Sequence, residues 1–301
     1  MSGTASYPLT GGLELGGTKC IALIARGPVL IDSLTVPTEE PGDVLDTLIG
    51  WLAAVTEPLG AIGIASFGPL GLDRRRADYG YITTTTKPGW SNVDVRGAVE
   101  ARFDLPIGFD TDVAGAALAE GRWGAAQGCS VHVYLTVGTG IGGGVVVDGR
   151  ALHGLVHPEI GHVRVRRVAG DSFAGNCPFH GDCLEGLAAG PAIAARTGVD
   201  AATLAADAPV WDMVAAELAE LMVTLIMTLS PERVVIGGGV GHGQPQLLPM
   251  IRTATSKLLA GYVPVLDRVG LESLICAPGL GAQAGSLGAI AVALDALAAA
   301  G

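Results

Sequence analysis

The chain has 301 residues, of which 49% are hydrophobic and 16% charged, and its formal net charge is −11. Such a composition excludes a disordered chain and gives enough material for two domains with ample cores. The acidic balance, with no basic run longer than Arg74-Arg75-Arg76, argues against nucleic-acid binding as the main task. The opening stretch, MSGTASYPLT, has neither a basic segment nor an apolar one of the kind that directs export, which places the protein in the cytoplasm.

In chain order, residues 11–26 read as an apolar run, a glycine turn and a second apolar run, a candidate hairpin with Gly16-Gly17-Thr18-Lys19 at its tip. A helix is expected over 43–57, a buried strand over 61–67, a helix over 95–103 and a strand over 106–109. Residues 131–149 repeat the hairpin form, now with Gly138-Thr139-Gly140 at the tip. A loop-rich stretch, 153–183, follows. Apolar residues recurring every three to four positions predict long helices over 210–229, 247–259 and 284–299, and Val234-Val235-Ile236 reads as a strand running into glycines. The tail 284–300 is broken by Asp295 and reads as too short and too rich in alanine to span a membrane. Two matching hairpins suggest two copies of one α/β unit. They divide the chain into a domain 1–113, completed by a C-terminal helix 284–301, and a larger domain 114–283.

Backbone N–H groups in a glycine turn can converge on one anion, because glycine admits the required dihedrals and leaves no side chain in the way. Gly16, Gly17, Thr18 and Lys19 offer such a turn, and Gly138, Thr139 and Gly140 a second. The glycine spacing from Gly138 to Gly143 matches a dinucleotide fingerprint only formally, since a strand rather than a helix follows. The spacing of a Walker A loop is missing. Ordinary hairpin turns remain the structural alternative.

Five cysteines in a reducing compartment suggest metal before disulfide. Cys177, His180 and Cys183 fall within seven residues, and His162 lies fifteen positions before Cys177. Two thiolates and two imidazoles suit a tetrahedral Zn²⁺ whose closed shell makes it structural.

Together these motifs resemble the ROK family of sugar kinases and transcriptional repressors. Glu14-Leu15-Gly16-Gly17-Thr18-Lys19 is similar to the family's first phosphate loop, and the run Thr136–Gly144 to its second. His157-Pro158-Glu159-Ile160-Gly161-His162 and Cys183-Leu184-Glu185-Gly186 are similar to its sugar and zinc segment. The form Cys177-Pro178-Phe179-His180-Gly181-Asp182-Cys183, and Glu14 in place of the usual Asp, resemble the fructokinase branch. The resemblance implies an actin-like fold, two RNase-H-like α/β domains with the active site in the cleft between them. It implies that Asn92, Asp112, Glu159, His162 and Glu185 hold a hexose, with His162 serving both zinc and sugar, and that two copies pair as a homodimer. One departure is visible: Ala114 stands where the family usually shows Asn.

The implied reaction is ATP-dependent phosphorylation of fructose at its 6-hydroxyl. Of the two carboxylates after the 106–109 strand, Asp110 and Asp112, the family pattern selects Asp112 as general base, while either could instead cap the helix that starts there. Mg²⁺ accompanies ATP, with Glu14 as an outer contact, and Gly238 and Gly239 in the turn after 234–236 form the floor for adenosine. Another hexose kinase, such as a glucokinase, mannokinase or N-acetylhexosamine kinase, is the rival enzyme, and a non-catalytic sugar sensor is the alternative of another class. A sugar-responsive repressor would need a DNA-binding helix pair ahead of the first phosphate loop, and the loop begins at residue 14.

Overall fold

The computed structural model describes residues 7–301. Residues 1–6, part of the stretch read above for an export signal, lie outside the described residues. The chain folds as two compact units. One runs to Trp123 and adds Arg150–His157 and Ala282–Gly301; the other holds Gly124–Gly149 and Pro158–Gly281.

The first unit opens with β1 (Leu9–Leu15) and β2 (Lys19–Arg26), an antiparallel pair in which Leu15 faces Cys20 across the tip. β3 (Val29–Pro37) pairs antiparallel with β2. Helix α1 (Pro41–Ala53) starts on a proline, which suits a first turn whose N–H groups have no helical partner, and buries Val44, Leu45, Leu48, Ile49 and Leu52. It ends before the expected residue 57. β4 (Ile62–Ser66) lies parallel to β1. A small ribbon, β5 (Tyr81–Ile82) with β6 (Val93–Asp94), precedes α2 (Val95–Glu100), which Asp94 caps by accepting the Gly97 N–H at 2.8 Å. β7 (Ile107–Thr111) extends the sheet in the order β3-β2-β1-β4-β7, and α3 (Asp112–Trp123) follows it directly.

The second unit repeats the plan. β8 (Val131–Val137) and β9 (Ile141–Val147) form an antiparallel hairpin. The segment Arg150–His157, which starts with β10 (Arg150–Ala151), belongs to the first unit. α4 (Leu184–Ala188), α5 (Gly190–Thr197) and the long α6 (Val210–Leu229) lead to β11 (Arg233–Gly237), which is parallel to β8. α7 (Gly238–Gly243), α8 (Leu247–Leu259), α9 (Val265–Val269) and α10 (Leu271–Leu274) come next. β12 (Ile275–Cys276) then lies parallel to β11. A hairpin followed by two parallel strands is thus present twice. The core of this unit gathers Val133, Leu135, Leu184, Trp211, Leu218, Met222, Ile236 and Ile251.

The last helix, α11 (Ala284–Ala300), returns to the first unit and packs on α3, β1, β4 and β7. Its backbone lies directly on the sheet and on α3: a Cβ at Gly63 of β4 would stand 1.9 Å from the Ala289 carbonyl oxygen, and one at Gly288 2.6 Å from the Gly115 backbone of α3. The expected domain boundary at residue 113 falls inside α3. The unit continues to Trp123 because Ala116, Ala117 and Ala119 of α3 are buried, with α11 packed against the helix. With the turn that precedes α11, Gly281–Ala300 passes for a membrane span by length and apolarity alone, 20 residues at mean hydropathy 1.4. Its contacts with strands of the sheet, and the burial of Leu287, Ile290 and Val292, make it a core helix.

Candidate active site

The first unit carries the first glycine tip. Gly16 N–H donates to the Lys19 carbonyl at 3.0 Å, which closes the turn, and the Thr38 hydroxyl donates to the Gly16 carbonyl at 2.7 Å. Beneath the tip the buried Cys20 thiol lies 3.3 Å from Thr38 Oγ1, and burial pushes its pKa up. Gly17, Thr18 and Lys19 are exposed. Glu14, expected near Mg²⁺, accepts the Ser286 hydroxyl at 2.6 Å in the first turn of α11.

At the end of β7 the two carboxylates have separate surroundings. Asp110 is buried in the strand; it accepts the Thr111 N–H at 2.7 Å and lies 3.0 Å from His153 Nε2. This pairing raises the His153 pKa, against a smaller opposing effect of burial. Asp112 is the first residue of α3, partly exposed, with the Val113 N–H on its Oδ1 at 2.9 Å. Neither aspartate is the helix cap. The strand runs two residues past its expected end, and Thr111 Oγ1 accepts the Ala114 N–H at 3.1 Å. That bond also ties down the backbone of Ala114, which is buried. Asn92 is exposed, at φ 59, a conformation Asn tolerates well, and its N–H donates to Thr83. His157 Nε2 accepts the Leu70 N–H at 3.0 Å, so the ring is an acceptor there and its proton sits on Nδ1.

In the second unit, Gly138 N–H donates to Gly140 O at 2.9 Å and Gly190 N–H to Gly138 O at 2.7 Å, while Thr139 stays exposed. Glu185, in the first turn of α4, accepts the Ile141 N–H at 3.0 Å, and a Cβ on Gly140 would lie 2.7 Å from the same oxygen. The missing side chain is what seats the carboxylate against this tip. Gly238 adopts φ 85, and a Cβ there would meet the Val137 carbonyl at 2.5 Å, so the turn that opens α7 lies flush on β8. A Cβ on Gly138 would lie 3.4 Å from Gly239 N, so the two glycine segments adjoin. Glu159 has its carboxyl pushed up to about 7, first by its loss of solvent and then by the Glu185 carboxylate.

The expected metal set comes together. The ligand atoms of His162, Cys177, His180 and Cys183 all lie within 4.8 Å of one another. Cys177 Sγ is 3.7 Å from Nδ1 of both His162 and His180, and Cys183 Sγ is 3.5 Å from His162 Nδ1. A reciprocal backbone pair between Cys177 and Gly181 tightens the loop, with Gly181 at φ 63. His162 turns Nδ1 to the sulfurs, which leaves Nε2 for another partner. Arg164 and Arg167 both reach Asp182 and brace the loop from outside. Burial pushes the Cys183 thiol up to about 11; a bound divalent ion reverses that preference.

Every residue singled out from the sequence is therefore placed. Asn92, Asp112 and Gly16 to Lys19 belong to the first unit. Glu159, His162, Glu185, both later glycine segments and the metal set belong to the second. Sequence reasoning missed His153 and Lys87, whose partners stand 43 and 70 residues away.

Residues 10–296 match the family described as the ROK family. A protein of Zymomonas mobilis named fructokinase is 44% identical, covering 95% of this chain and 96% of its own length. One of Pediococcus pentosaceus, also named fructokinase, is 40% identical over 96% of this chain and 99% of its own. Among solved structures, the ROK hexokinase of Thermus thermophilus is 32% identical with TM-score 0.80, covering 97% of this chain and 99% of that one. The ROK glucokinase of Streptomyces griseus, solved with glucose and AMPPNP, is 25% identical with TM-score 0.74 over 95% of this chain and 99% of that one. The duplicated hairpin-and-parallel-strand plan, the two glycine tips and this agreement along nearly the whole length lead to one conclusion: the chain belongs to the ROK family, with its actin-like α/β fold.

Proposed function

We propose that the protein is a fructokinase, transferring the γ-phosphoryl group of ATP to the 6-hydroxyl of fructose. The observation that carries the kinase reading is Glu185. A carboxylate of the sugar-reading type is held by the Ile141 N–H at 3.0 Å, on the border of a glycine tip of the phosphate-binding type. Fructose as the acceptor is supported by the fructokinases at 40% and 44% identity.

In this reading Asp112 takes the proton of the 6-hydroxyl as the new P–O bond forms and the bond to ADP breaks, giving fructose 6-phosphate, ADP and a proton. Asp112, partly exposed at the start of α3, suits a base better than Asp110, which is buried in β7 and paired with His153. Asn92, Glu159, Glu185 and His162 Nε2 orient the sugar hydroxyls. The turns Gly16 to Lys19 and Gly138 to Gly140 hold phosphate oxygens, and the Gly238-Gly239 turn supports adenosine. Mg²⁺ on the nucleotide supplies charge neutralisation to a transition state whose barrier is lowered mainly by positioning and electrostatics.

The metal set fits zinc. Three sulfur–nitrogen separations of 3.5–3.7 Å compare with about 3.6 Å for S and N donors arranged tetrahedrally at usual Zn–S and Zn–N lengths, and all four ligand atoms lie within 4.8 Å of one another. Four protein ligands leave no open position, so His162, Cys177, His180 and Cys183 would hold the ion as a structural clasp.

The deciding experiment measures kcat/KM for fructose, glucose, mannose and N-acetylmannosamine under one set of conditions. Fructose is expected to give the highest value. A higher value for glucose overturns the acceptor and favours the glucokinase reading.

A further inference from the structure

We propose that Lys87 is a further catalytic residue, a cation that binds the phosphoryl group in transit; the proposal rests on the kinase reading above. Its ammonium donates to the carbonyl oxygen of Gly17, 2.8 Å away, at the exposed tip of the first glycine turn. Nothing in the local sequence pairs these residues, and the contact closes a span of 70 positions.

The segment that carries Lys87 is firmly built. Thr83 anchors one end, its N–H and hydroxyl both on the Pro69 carbonyl at 2.8 and 3.0 Å. At the other end Trp90 is fully buried, donates its indole N–H to the Glu39 carbonyl at 2.8 Å and packs edge-on against Phe67. Between them, the Lys87 N–H donates to Thr85 Oγ1 at 3.2 Å and its carbonyl accepts the Trp90 N–H at 3.2 Å. Gly89, at φ 80, makes the turn that only a residue without Cβ makes cheaply. The side chain therefore starts from a fixed backbone, and the ordering entropy of the segment is met by folding rather than by substrate.

The partner chosen is informative. A neutral carbonyl uses one of three ammonium donors, and among the described residues no carboxylate pairs with the ammonium. The carbonyl lies at an exposed tip where water could serve it equally well, so bracing alone does not require a lysine. A Cβ on Gly17 would meet nothing within 4 Å, so the tip is open beside the ammonium. What remains is a cation with two free donors, parked at a phosphate-binding turn. The same segment ends at Asn92, whose N–H donates to Thr83 at 3.0 Å, so one short piece of chain joins a sugar-reading residue to the phosphate tip. As the γ-phosphoryl group leaves ADP for the 6-oxygen, negative charge spreads over its equatorial oxygens, and an ammonium placed there favours the transition state over the ground state.

The test compares wild type with Lys87→Met and Lys87→Arg. It reads kcat on the best hexose, and the Kd for that hexose from tryptophan fluorescence. Lys87→Met is expected to lower kcat by ~10²-fold or more, the scale of losing one preorganised charge-stabilising donor, with hexose Kd within about threefold; Lys87→Arg is expected to keep at least a tenth of wild-type kcat. A Lys87→Met enzyme within threefold of wild-type kcat overturns the proposal. So does an equal loss in both variants accompanied by weaker hexose binding, which marks Lys87 as a brace for the segment. If wild type prefers a hexose other than fructose, the acceptor assignment fails, while the comparison on that hexose still judges Lys87.

Discussion

Gly140→Ala tests the link between the second glycine tip and the sugar-reading carboxylate. The new Cβ would stand 2.7 Å from Glu185 Oε2, against an optimal non-bonded separation of about 3.5 Å. The carboxylate must withdraw by roughly 0.5–0.8 Å, which takes it out of reach of the Ile141 N–H, now at 3.0 Å. A buried sugar hydroxyl left without its carboxylate partner costs about 1–3 kcal/mol, and each 1.4 kcal/mol is tenfold in binding. Because the displaced carboxylate is also the one proposed to hold the hexose, fructose affinity should fall by roughly 5- to 150-fold. Tryptophan fluorescence titration of Gly140→Ala, Glu185→Gln and the double variant measures this directly. Once Glu185→Gln has weakened the same contact, Gly140→Ala should add little, a non-additive cycle. Fructose affinity within twofold of wild type in Gly140→Ala, or full multiplication of the two single effects, would refute the reasoning.

Asp112→Asn keeps the shape of the first turn of α3 and removes the base; kcat should drop by at least ~10²-fold with ATP affinity retained, and Asp110→Asn should be milder. Elemental analysis of protein purified without added metal should find about one zinc per chain, with proteolysis of the segment around Cys177 and Cys183 accelerating on chelation; protein devoid of zinc refutes the site. The pairing with Asp110 raises the folded-state pKa of His153. It therefore adds stability below the unfolded value of about 6.5, and that contribution is lost as pH rises through the folded pKa. The melting-temperature gap between wild type and His153→Asn should accordingly be largest in mild acid and narrow toward alkaline pH; a gap that widens there contradicts the pairing.

Local pattern carried most of what the sequence disclosed. The helices Val210–Leu229 and Leu247–Leu259 are found at the expected residues because their apolar periodicity runs unbroken to each end. The zinc-type ligands were legible because three of four lie within one turn-rich loop. The β7–α3 junction was not. Asp110, Thr111 and Asp112 read as residues between a strand ending at 109 and a helix that either acid could cap, yet Asp110 and Thr111 are buried strand residues, and the hydroxyl between the two acids is the cap. The burial of an aspartate depends on His153, and the orientation of Lys87 on Gly17; both partners are supplied by chain folding back over long separations, which no window of sequence displays. The same holds for the buried ion pair of Arg196 with Glu217, whose residues sit on different helices.

The return of α11 to the first sheet sets an order on biosynthesis. Nearly all of the first unit leaves the ribosome early, but its sheet and α3 lack the helix that covers Gly63, Gly108 and Gly115 until residues 284–300 emerge. A nascent chain halted anywhere before that point carries an uncovered β-sheet face, the kind of surface that chaperones hold and that aggregates when they do not. The second unit, Gly124–Gly149 with Pro158–Gly281, is by contrast complete before the chain ends. The usual vectorial sequence is therefore inverted: the half translated first is the half finished last, and even a short C-terminal truncation strikes the N-terminal core.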